Sequence, residues 1–403
     1  MTKENILEVA NDLGYGNEKI TFELKHRYIQ PTIISPIDQL TADAINHNDK
    51  DAVDETIKNL LNEMNVVIDN KQYLVGTAAE NSTLDHISTD INSRKGKAHM
   101  SMAKIVPLST IAAYAVQQAY KNDENIFSPI EVNVVMANNL PISEIKNDPS
   151  VRNYYENLFT SKNHIVIFKN FDNDISVTIN FKEVNVYKEG EVAIAIAIKH
   201  SQELRNHIIN TIEKYYPDID AKDFLENVQN ILGIDTGFHT VDFPLIINGT
   251  ADPFSSSSID IGYGNVLSRA MESLPQRSQG YSVNDVVEFQ NLLNSDPKTK
   301  IDKENKEYAL QSEQSATPAL IRKIITKFNS TLSKAKKIQL VLLMGGGTIP
   351  LMERTDYREQ LINSLEEYRS SALVIPLGEE FAAYANLIGL ERLANAMVED
   401  KYK

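Results

Sequence analysis

The feature that most limits how this chain can fold is an Asp-x-Gly turn that lies between two apolar strand-like segments and occurs twice. The first copy is DLGYGN at residues 12–17, between NILEVAN and EKITFEL. A near-copy, DIGYGN at 260–265, precedes VLSRAMESL, whose apolar residues have helical spacing. The better equivalent of the first turn is DTGFHTVD at 235–242, which again separates two apolar segments. Two such hairpins predict two halves of related structure.

Composition indicates a soluble globular protein of two or three domains. The chain has 403 residues, of which 42% are apolar and 24% are charged, and a domain usually has about 150 residues. The sequence contains neither an apolar run of membrane-spanning length nor a signal-peptide layout at its start. The absence of cysteine excludes disulfides and thiolate metal sites, and it fits a reducing cytoplasm.

The charge balance argues against direct binding to nucleic acid. The chain carries 55 acidic and 40 basic side chains, with a formal net charge of −15. Phosphate backbones attract basic surfaces, so we expect any link to DNA to pass through a separate DNA-binding protein.

Hydrophobic periodicity predicts mixed α/β structure in both halves. Helices are predicted at 51–64, at 109–121 with Ser109 or Thr110 as cap, over much of 201–232, and after Thr317-Pro318. Strands are predicted at 65–76, 130–136, 164–168, 174–187 and 338–344, with a strand pair over 232–248. The segment 281–313 is the most polar part of the chain.

The chemistry of an Asp-x-Gly turn suits a phosphate group and its metal ion. Glycine lets successive N–H groups converge on an anion, and the carboxylate can hold hydrated Mg²⁺. A third element, VLLMGGGTIPL, predicts a strand, a glycine turn at 345–347 and a helix capped by Thr348. It lacks the Lys-Ser/Thr pair of a P-loop.

Together these three elements resemble the nucleotide site of the superfamily of actin, heat-shock chaperones and sugar kinases. Within it the chain is most similar to the ParM-type bacterial actins that segregate plasmids. DLGYGNEK matches their D-x-G-x-x-N-x-K loop, and DTGFHTVD matches their D-x-G-x-x-T-x-D loop. Further matches are SIDIGYGNVLSRAMESL after the second loop, NNLPIS at 138–143, MGGGTIPL, and FAAYANLIGL near the end of the chain.

The resemblance implies an actin-like fold, with two duplicated ribonuclease H-like domains flanking a nucleotide cleft, each with a smaller subdomain. Domain I would cover 1–200, with subdomain IB at about 31–80 and a C-terminal helix, 380–403, packing back on it. Domain II would cover 201–379, with a polar subdomain IIB at about 275–312. The segment 201–232 is longer than is usual in the family.

The resemblance also implies a site for ATP with Mg²⁺. The implied phosphate-binding residues are Asp12, Gly14, Tyr15, Gly16, Asn17, Lys19, Thr236, Gly237, Phe238, His239, Thr240 and Asp242. Gly345, Gly346, Gly347 and Thr348 would lie on the adenosine side. Asp12 and Asp235 would hold Mg²⁺ through water.

A catalytic carboxylate is implied by the family context V-x-V-x-P-E. VNVYKEGEVA at 184–193 fits this context, with Lys188 in place of the proline and Glu189 as the group that orients the attacking water; Asp235 is the second implied catalytic residue. Alternatively, KEGE is a solvated turn before a strand, because VAIAIAI alternates, whereas the resemblance implies a helix there. Glu191 takes the role if the register slips by two.

The expected function is an ATPase that polymerises into filaments and segregates plasmid or phage DNA in the bacterial cytoplasm. Its partners would be further copies of the chain and a DNA-binding adaptor, without direct contact to nucleic acid or membrane. The alternatives are a sugar or metabolite kinase of the same superfamily, a cell-shape or membrane-associated actin, a chaperone-like ATPase, and a non-hydrolysing scaffold. The kinase lacks a recognisable base beside a sugar pocket. ERLANAMVEDKYK is more typical of a packed helix than of a membrane anchor.

Overall fold

The computed structural model describes residues 5–38, 44–88, 96–252, 254–335 and 337–402; part of the predicted subdomain IB, 39–43, lies outside them. The chain groups into two units. Unit 1 comprises Met1–Leu140, Glu144–Lys188 and Asn386–Lys403, and unit 2 comprises Pro141–Ser143 and Glu189–Ala385. The domain and subdomain boundaries inferred from the resemblance stay a prediction.

Unit 1 combines strands with helices of varied length. Its strands are β1 (Ile6–Leu13), β2 (Asn17–Phe22), β3 (His26–Pro31), β4 (Ile34–Ile37), β5 (Asn65–Ile68), β6 (Lys71–Val75), β7 (Ile130–Leu140), β8 (His164–Phe168) and β9 (Ile175–Lys188). Its helices are α1 (Lys50–Asn59), α2 (Thr77–Glu80), α3 (Met102–Lys121), α4 (Ile142–Asn147, which begins in unit 2), α5 (Ser150–Thr160) and α15 (Ala385–Tyr402).

The strands of unit 1 form a sheet with a parallel centre. Among the described residues the sheet order is β3-β2-β1-β7-β9-β8-β5-β6-β4. Strands β1, β7 and β9 run parallel, whereas β2 is antiparallel to β1 and β3 is antiparallel to β2. The 14-residue strand β9 continues the sheet into the outer strands through β8.

Two helices cover opposite faces of the hairpin β1–β2. On one face, α3 places Tyr114 in a stack on Phe22, with ring centroids 4.0 Å apart. On the other face, Glu391 of α15 accepts a hydrogen bond from Thr21 at 2.7 Å and two from Arg27, at 2.7 and 2.9 Å. A charged pair of this geometry binds more tightly than a neutral one, so α15 is fixed to the sheet by polar as well as apolar contacts.

Unit 2 has shorter strands than unit 1 and contains the longest helix, α11. Its strands are β10 (Ile231–Thr236), β11 (Val241–Phe243), β12 (Leu245–Ile247), β13 (Thr250–Ala251), β14 (Ser257–Ile259), β15 (Leu340–Met344) and β16 (Leu373–Pro376). Its helices are α6 (Ile198–His200, preceded by a π-helical segment Ala193–Ala197), α7 (Gln202–Tyr215), α8 (Ala221–Asn227), α9 (Tyr263–Arg277), α10 (Val286–Asn294), α11 (Lys300–Lys334), α12 (Thr348–Arg354), α13 (Tyr357–Glu367) and α14 (Gly378–Ala382).

The central strands of unit 2 repeat the arrangement of unit 1. Strand β10 is antiparallel to β11 and parallel to β15; β11 is antiparallel to β14, and β15 is parallel to β16. The five strands β14-β11-β10-β15-β16 therefore correspond one by one to β3-β2-β1-β7-β9: their order along the chain is the same, and neighbouring strands run in the same relative directions. The prediction of two related α/β halves is confirmed.

Two predicted helix starts are wrong. Ser109 and Thr110 lie inside α3, and Thr317-Pro318 lies near the middle of the 35-residue helix α11, which begins with a capping box at Thr299. The hydroxyl groups of Thr110 and Thr317 donate to the carbonyl oxygens four residues earlier, at 3.0 and 2.8 Å. A hydroxyl that bonds within its own helix no longer signals a helix end.

Three strand predictions also need correction. The segment 65–76 is a hairpin rather than one strand, because Asp69 and Asn70 adopt positive φ and turn the chain. Strand β7 continues through Asn139 to Leu140 instead of stopping at NNLP. The segment VAIAIAI is helical, and its buried residues Ala193, Ile194, Ala197 and Ile198 have helical spacing.

A buried carboxyl between β2 and α3 makes the stability of unit 1 depend on pH. Glu18 is fully buried and shares a hydrogen bond with the Thr110 hydroxyl at 2.6 Å. Burial raises the pKa of Glu18 from its ordinary 4.5 to about 8, partly opposed by that hydrogen bond.

We expect the free energy of unfolding to fall as pH rises from about 5 to 8, because the folded state keeps the Glu18 proton that the unfolded state loses. One proton contributes at most about 1.4 kcal/mol per pH unit. Glu18→Gln should flatten this dependence and stabilise the protein at pH 8, whereas the exposed control Glu124→Gln should not. Urea unfolding at pH 5, 6, 7 and 8 measures the effect; equal slopes in all three proteins would contradict it.

Candidate functional site

The first Asp-x-Gly turn of unit 1 joins β1 to β2 with its carbonyl groups fixed. The N–H of Gly14 donates to the carbonyl of Asn17 at 2.9 Å. Thr32 donates through its hydroxyl to the carbonyl of Gly14 at 2.8 Å and through its N–H to that of Gly16 at 2.9 Å. In a trans peptide the carbonyl and the following N–H point in opposite directions, so the N–H groups of Tyr15 and Asn17 point away from Thr32.

The second turn, in unit 2, has the same construction. The N–H of Gly237 donates to the carbonyl of Thr240 at 2.9 Å. Asp235 pairs with Asp242 across the hairpin, as Asp12 pairs with Lys19 in unit 1. The equal register confirms that 235–242, and not 260–265, is the counterpart of the first turn.

The near-copy DIGYGN packs against the second turn and binds its carbonyl groups. The N–H groups of Tyr263 and Gly264, at the start of α9, donate to the carbonyls of Gly237 and Phe238 at 2.9 and 2.7 Å. A Cβ on Gly262 would lie 2.4 Å from the carbonyl oxygen of Phe238. Because those carbonyls face α9, the N–H groups of Phe238 and His239 point away from it.

The glycines at 345–347 pack directly on the second turn. Gly345 has φ +84°, and a Cβ there would lie 2.4 Å from Oδ1 of Asp235. The N–H of Gly347 donates to the carbonyl of Thr236 at 2.9 Å. Gly347 is the residue that caps α12; the predicted cap Thr348 instead lies within the first turn of that helix and donates to the carbonyl of Met344.

The acidic residues of the two turns have different surroundings. Asp12 accepts a hydrogen bond from Nδ2 of Asn139 at 2.8 Å and lies 3.3 Å from Nζ of Lys19. Asp242 accepts from Thr240 at 2.9 Å, from the N–H of Ile142 at 3.2 Å, and from Ser258. Asp235 is 7% exposed. Within its own unit, each of the Asp12 and Asp235 carboxylates is of the chemical type that binds a water of hydrated Mg²⁺, whereas Asp242 accepts hydrogen bonds from its own turn and its neighbours.

Glu189 and Glu191 lie at the junction between β9 and the helical segment that follows it. Gly190, between them, has φ +72°, and a Cβ there would lie 2.6 Å from Cγ of Pro244. This turn starts the helix that the resemblance implied, so the interpretation of VAIAIAI as a strand is wrong. Both carboxylates are half-buried, and the assignment of Glu189 to the attacking water stays a prediction.

Several supporting residues had no recognisable sequence signal. Lys97 is buried, and its ammonium group donates to the carbonyl of Leu13 at 2.6 Å. Glu144 accepts from the Tyr15 hydroxyl at 2.9 Å and from the N–H of Lys97 at 2.7 Å. Lys97 stands in the polar stretch SRKGKAH, which suggests a solvated loop. The asparagine pair before Leu140-Pro141 was the available clue to Asn139.

Comparison with known proteins agrees with this construction. Residues 10–191 match the model of the N-terminal domain of actin-like proteins. The actin-like protein Alp7A is 19% identical, with 98% of each chain covered and a TM-score of 0.62. A ParM from a 15-stranded filament of Clostridium botulinum is 20% identical, with 98% of this chain and 100% of that chain covered and a TM-score of 0.59.

The archaeal actin homologue Ta0583, in complex with ADP, is 14% identical, with 98% of this chain and 100% of that chain covered and a TM-score of 0.57. None of the curated proteins compared with the chain matches its sequence. In the described part of the chain, no helix is both long and apolar enough to cross a bilayer.

The chain therefore has the actin-like fold, with mixed α/β structure and two sheets. The resemblance to ParM-type actins drawn from its motifs is therefore confirmed at the level of the fold.

The close contact between Gly345 and Asp235 predicts that replacing Gly345 destabilises the protein, and the neighbouring Gly346 provides a control. Gly345→Ala would combine a left-handed backbone with a clash against the Asp235 carboxylate and should cost about 2 kcal/mol or more. Gly346→Ala meets no atom within 4 Å and has no positive φ, so it should cost much less. Thermal and urea unfolding of both variants measure this difference; equal losses would show that Gly345 does not need to be glycine.

Proposed function

We propose that the chain is an ATPase that binds ATP with Mg²⁺ and polymerises into filaments, which segregate plasmid or phage DNA through a DNA-binding adaptor. The observation that carries this proposal is the pair of Asp-x-Gly hairpins with equal register, one in each unit. In both hairpins the framework of the unit binds the turn carbonyls, which directs N–H groups to the other side. Such N–H groups bind anions, and the triphosphate of ATP is the anion that suits this fold.

The first turn supplies positive charge as well as N–H groups. The Lys19 ammonium lies beside Asp12, 3.3 Å from its carboxylate and near the turn. A lysine beside backbone N–H groups binds phosphate as a point charge. The N–H groups of Tyr15 and Asn17 and the ammonium of Lys19 would therefore bind phosphate oxygens.

The second turn would bind phosphate through the N–H groups of Phe238 and His239. Gly237 and Thr240 keep this turn closed, and Asp242 holds Thr240 in place. Asp12 and Asp235 would hold waters of a bound Mg²⁺, which neutralises phosphate charge during transfer. Gly345, Gly346, Gly347 and Thr348 would lie on the adenosine side, where residues without bulky side chains permit close approach.

For hydrolysis, Glu189 would accept a hydrogen bond from the attacking water and orient it toward the terminal phosphate. A half-buried carboxylate at the end of β9 suits this role, because Gly190 and Pro244 fix the turn that carries it. General-base assistance of this kind contributes about 100- to 10,000-fold.

Assembly is supported by the relatives. The ParM of Clostridium botulinum is described as a 15-stranded filament, and Ta0583 as a complex with ADP. The net charge of −15 would repel DNA phosphates, which supports an adaptor as the link to DNA.

Sedimentation of the purified protein tests the proposal. We expect it to pellet with ATP and Mg²⁺ and with a non-hydrolysable ATP analogue, and to pellet less with ADP or with EDTA. Phosphate release should accompany assembly in ATP. A protein that stays soluble and monomeric under all four conditions would contradict the filament, and one that releases no phosphate would contradict the ATPase.

The catalytic carboxylate can be identified by a matched pair of variants. Glu189→Gln should slow phosphate release by about 100-fold while ATP still induces pelleting, because an amide keeps the size of the side chain but not its charge. Glu191→Gln, two residues away in the same turn, is the control and should change the rate less than twofold. The reverse result would assign the role to Glu191, and two active variants would exclude both residues.

A further inference from the structure

The side chain of Lys97 is almost entirely withdrawn from water and directed at the first turn. Lys97 is 2% exposed and begins a short helical turn, Lys97–His99, just before α3. Its ammonium donates to the carbonyl of Leu13 at 2.6 Å and to Oδ1 of Asn139 at 3.3 Å. Leu13 stands between Asp12 and Gly14, so the buried positive charge lies against the backbone of the turn itself.

Burying an ammonium group is strongly unfavourable unless polar partners compensate for the loss of water. An apolar side chain of similar length would fill the same volume without this cost. The two partners of this charge, the Leu13 carbonyl and the Asn139 amide, both adjoin Asp12, so the charge lies where it can act on that carboxylate.

Asn139 carries the effect of Lys97 to Asp12. The Asn139 side chain accepts from Lys97 through Oδ1 and donates through Nδ2 to Oδ1 of Asp12 at 2.8 Å. An amide has one accepting and one donating end. Lys97 fixes the accepting end, so the donating end must face the carboxylate. Without Lys97 the amide could rotate and present its oxygen to Asp12, which would repel it.

Lys97 is also connected to Tyr15, on the far side of the turn. Its backbone N–H and the Tyr15 hydroxyl donate to the same oxygen of Glu144, at 2.7 and 2.9 Å. Gly96 permits this approach, because a Cβ there would lie 2.5 Å from the other oxygen of Glu144. Lys97 thus contacts the turn directly at Leu13, and it is linked to Asp12 through Asn139 and to Tyr15 through Glu144.

We propose that Lys97 is a positioning residue of the first phosphate turn, a buried cation that orients the Asp12 carboxylate toward metal-bound water. This inference rests on the proposed ATP site. Lys97 touches neither nucleotide nor metal in this role; it acts through Asn139 and the Leu13 carbonyl. Its removal should therefore weaken the binding of ATP with Mg²⁺ more than the binding of ATP alone.

Metal-dependent affinity distinguishes this role from a purely structural one. The dissociation constant of a fluorescent ATP analogue is measured with Mg²⁺ and with EDTA for the wild type, Lys97→Met and the control Lys104→Met. Lys104 lies on α3 and pairs with Asp69 at the surface. We expect Lys97→Met to weaken binding about tenfold with Mg²⁺, which is the scale of one hydrogen bond to a charged group, and about threefold or less with EDTA. Lys104→Met should change neither value, and Lys97→Arg should recover part of the Mg²⁺ effect.

Two further variants keep the inference testable if Lys97→Met folds poorly. Asn139→Ala leaves the buried cation in place but interrupts its link to Asp12. Like Lys97→Met, it should lower the ratio of the affinity measured with Mg²⁺ to the affinity measured with EDTA. In an Asp12→Asn background, Lys97→Met should no longer change that ratio. Equal weakening with Mg²⁺ and EDTA in folded variants would overturn the inference and leave the proposed function intact, whereas a wild type that does not bind the analogue would contradict the proposed function itself.

Discussion

The structure of both candidate turns depends on where their carbonyl oxygens go. A hairpin turn can expose either its carbonyls or its N–H groups, and only exposed N–H groups attract an anion. In unit 1, Thr32 binds two turn carbonyls; in unit 2, the first residues of α9 and Gly347 bind three. The framework around each turn thus selects the peptide orientation, and the Asp-x-Gly letters alone do not.

This dependence explains which features the sequence could predict. The hairpins were predictable because glycine and alternating apolar residues act locally, and the helical spacing after DIGYGN separated it from the true counterpart. Their packing partners were not predictable in the same way. Thr32 and Lys97 reach their turns through contacts between residues far apart in sequence, 18 residues for Thr32 with Gly14 and 84 for Lys97 with Leu13. No local pattern encodes such a contact.

The incorrect predictions share a related cause. Thr110 and Thr317 were interpreted as helix caps because hydroxyl groups often end helices, yet both bond to a carbonyl of their own helix. The alternation of VAIAIAI favoured a strand, but it is an alternation of small and large apolar residues rather than of polar and apolar ones. All seven side chains can be buried, so the pattern is also compatible with a helix. Packing against Gly233, where a Cβ would lie 2.6 Å from Ile194, decides in favour of the helix.

The two hairpins have equal register, yet the residues opposite their aspartates carry opposite charges. The residue opposite the first aspartate is Lys19, and the residue opposite the second is Asp242. Lys19 turns toward Asp12, whereas Asp242 accepts hydrogen bonds from Thr240, Ser258 and the backbone of Ile142. The first turn has two ammonium groups next to it, those of Lys19 and Lys97, whereas the second turn has the carboxylate of Asp242 in the place of Lys19. The two hairpins thus differ in the charge that each places opposite a shared aspartate.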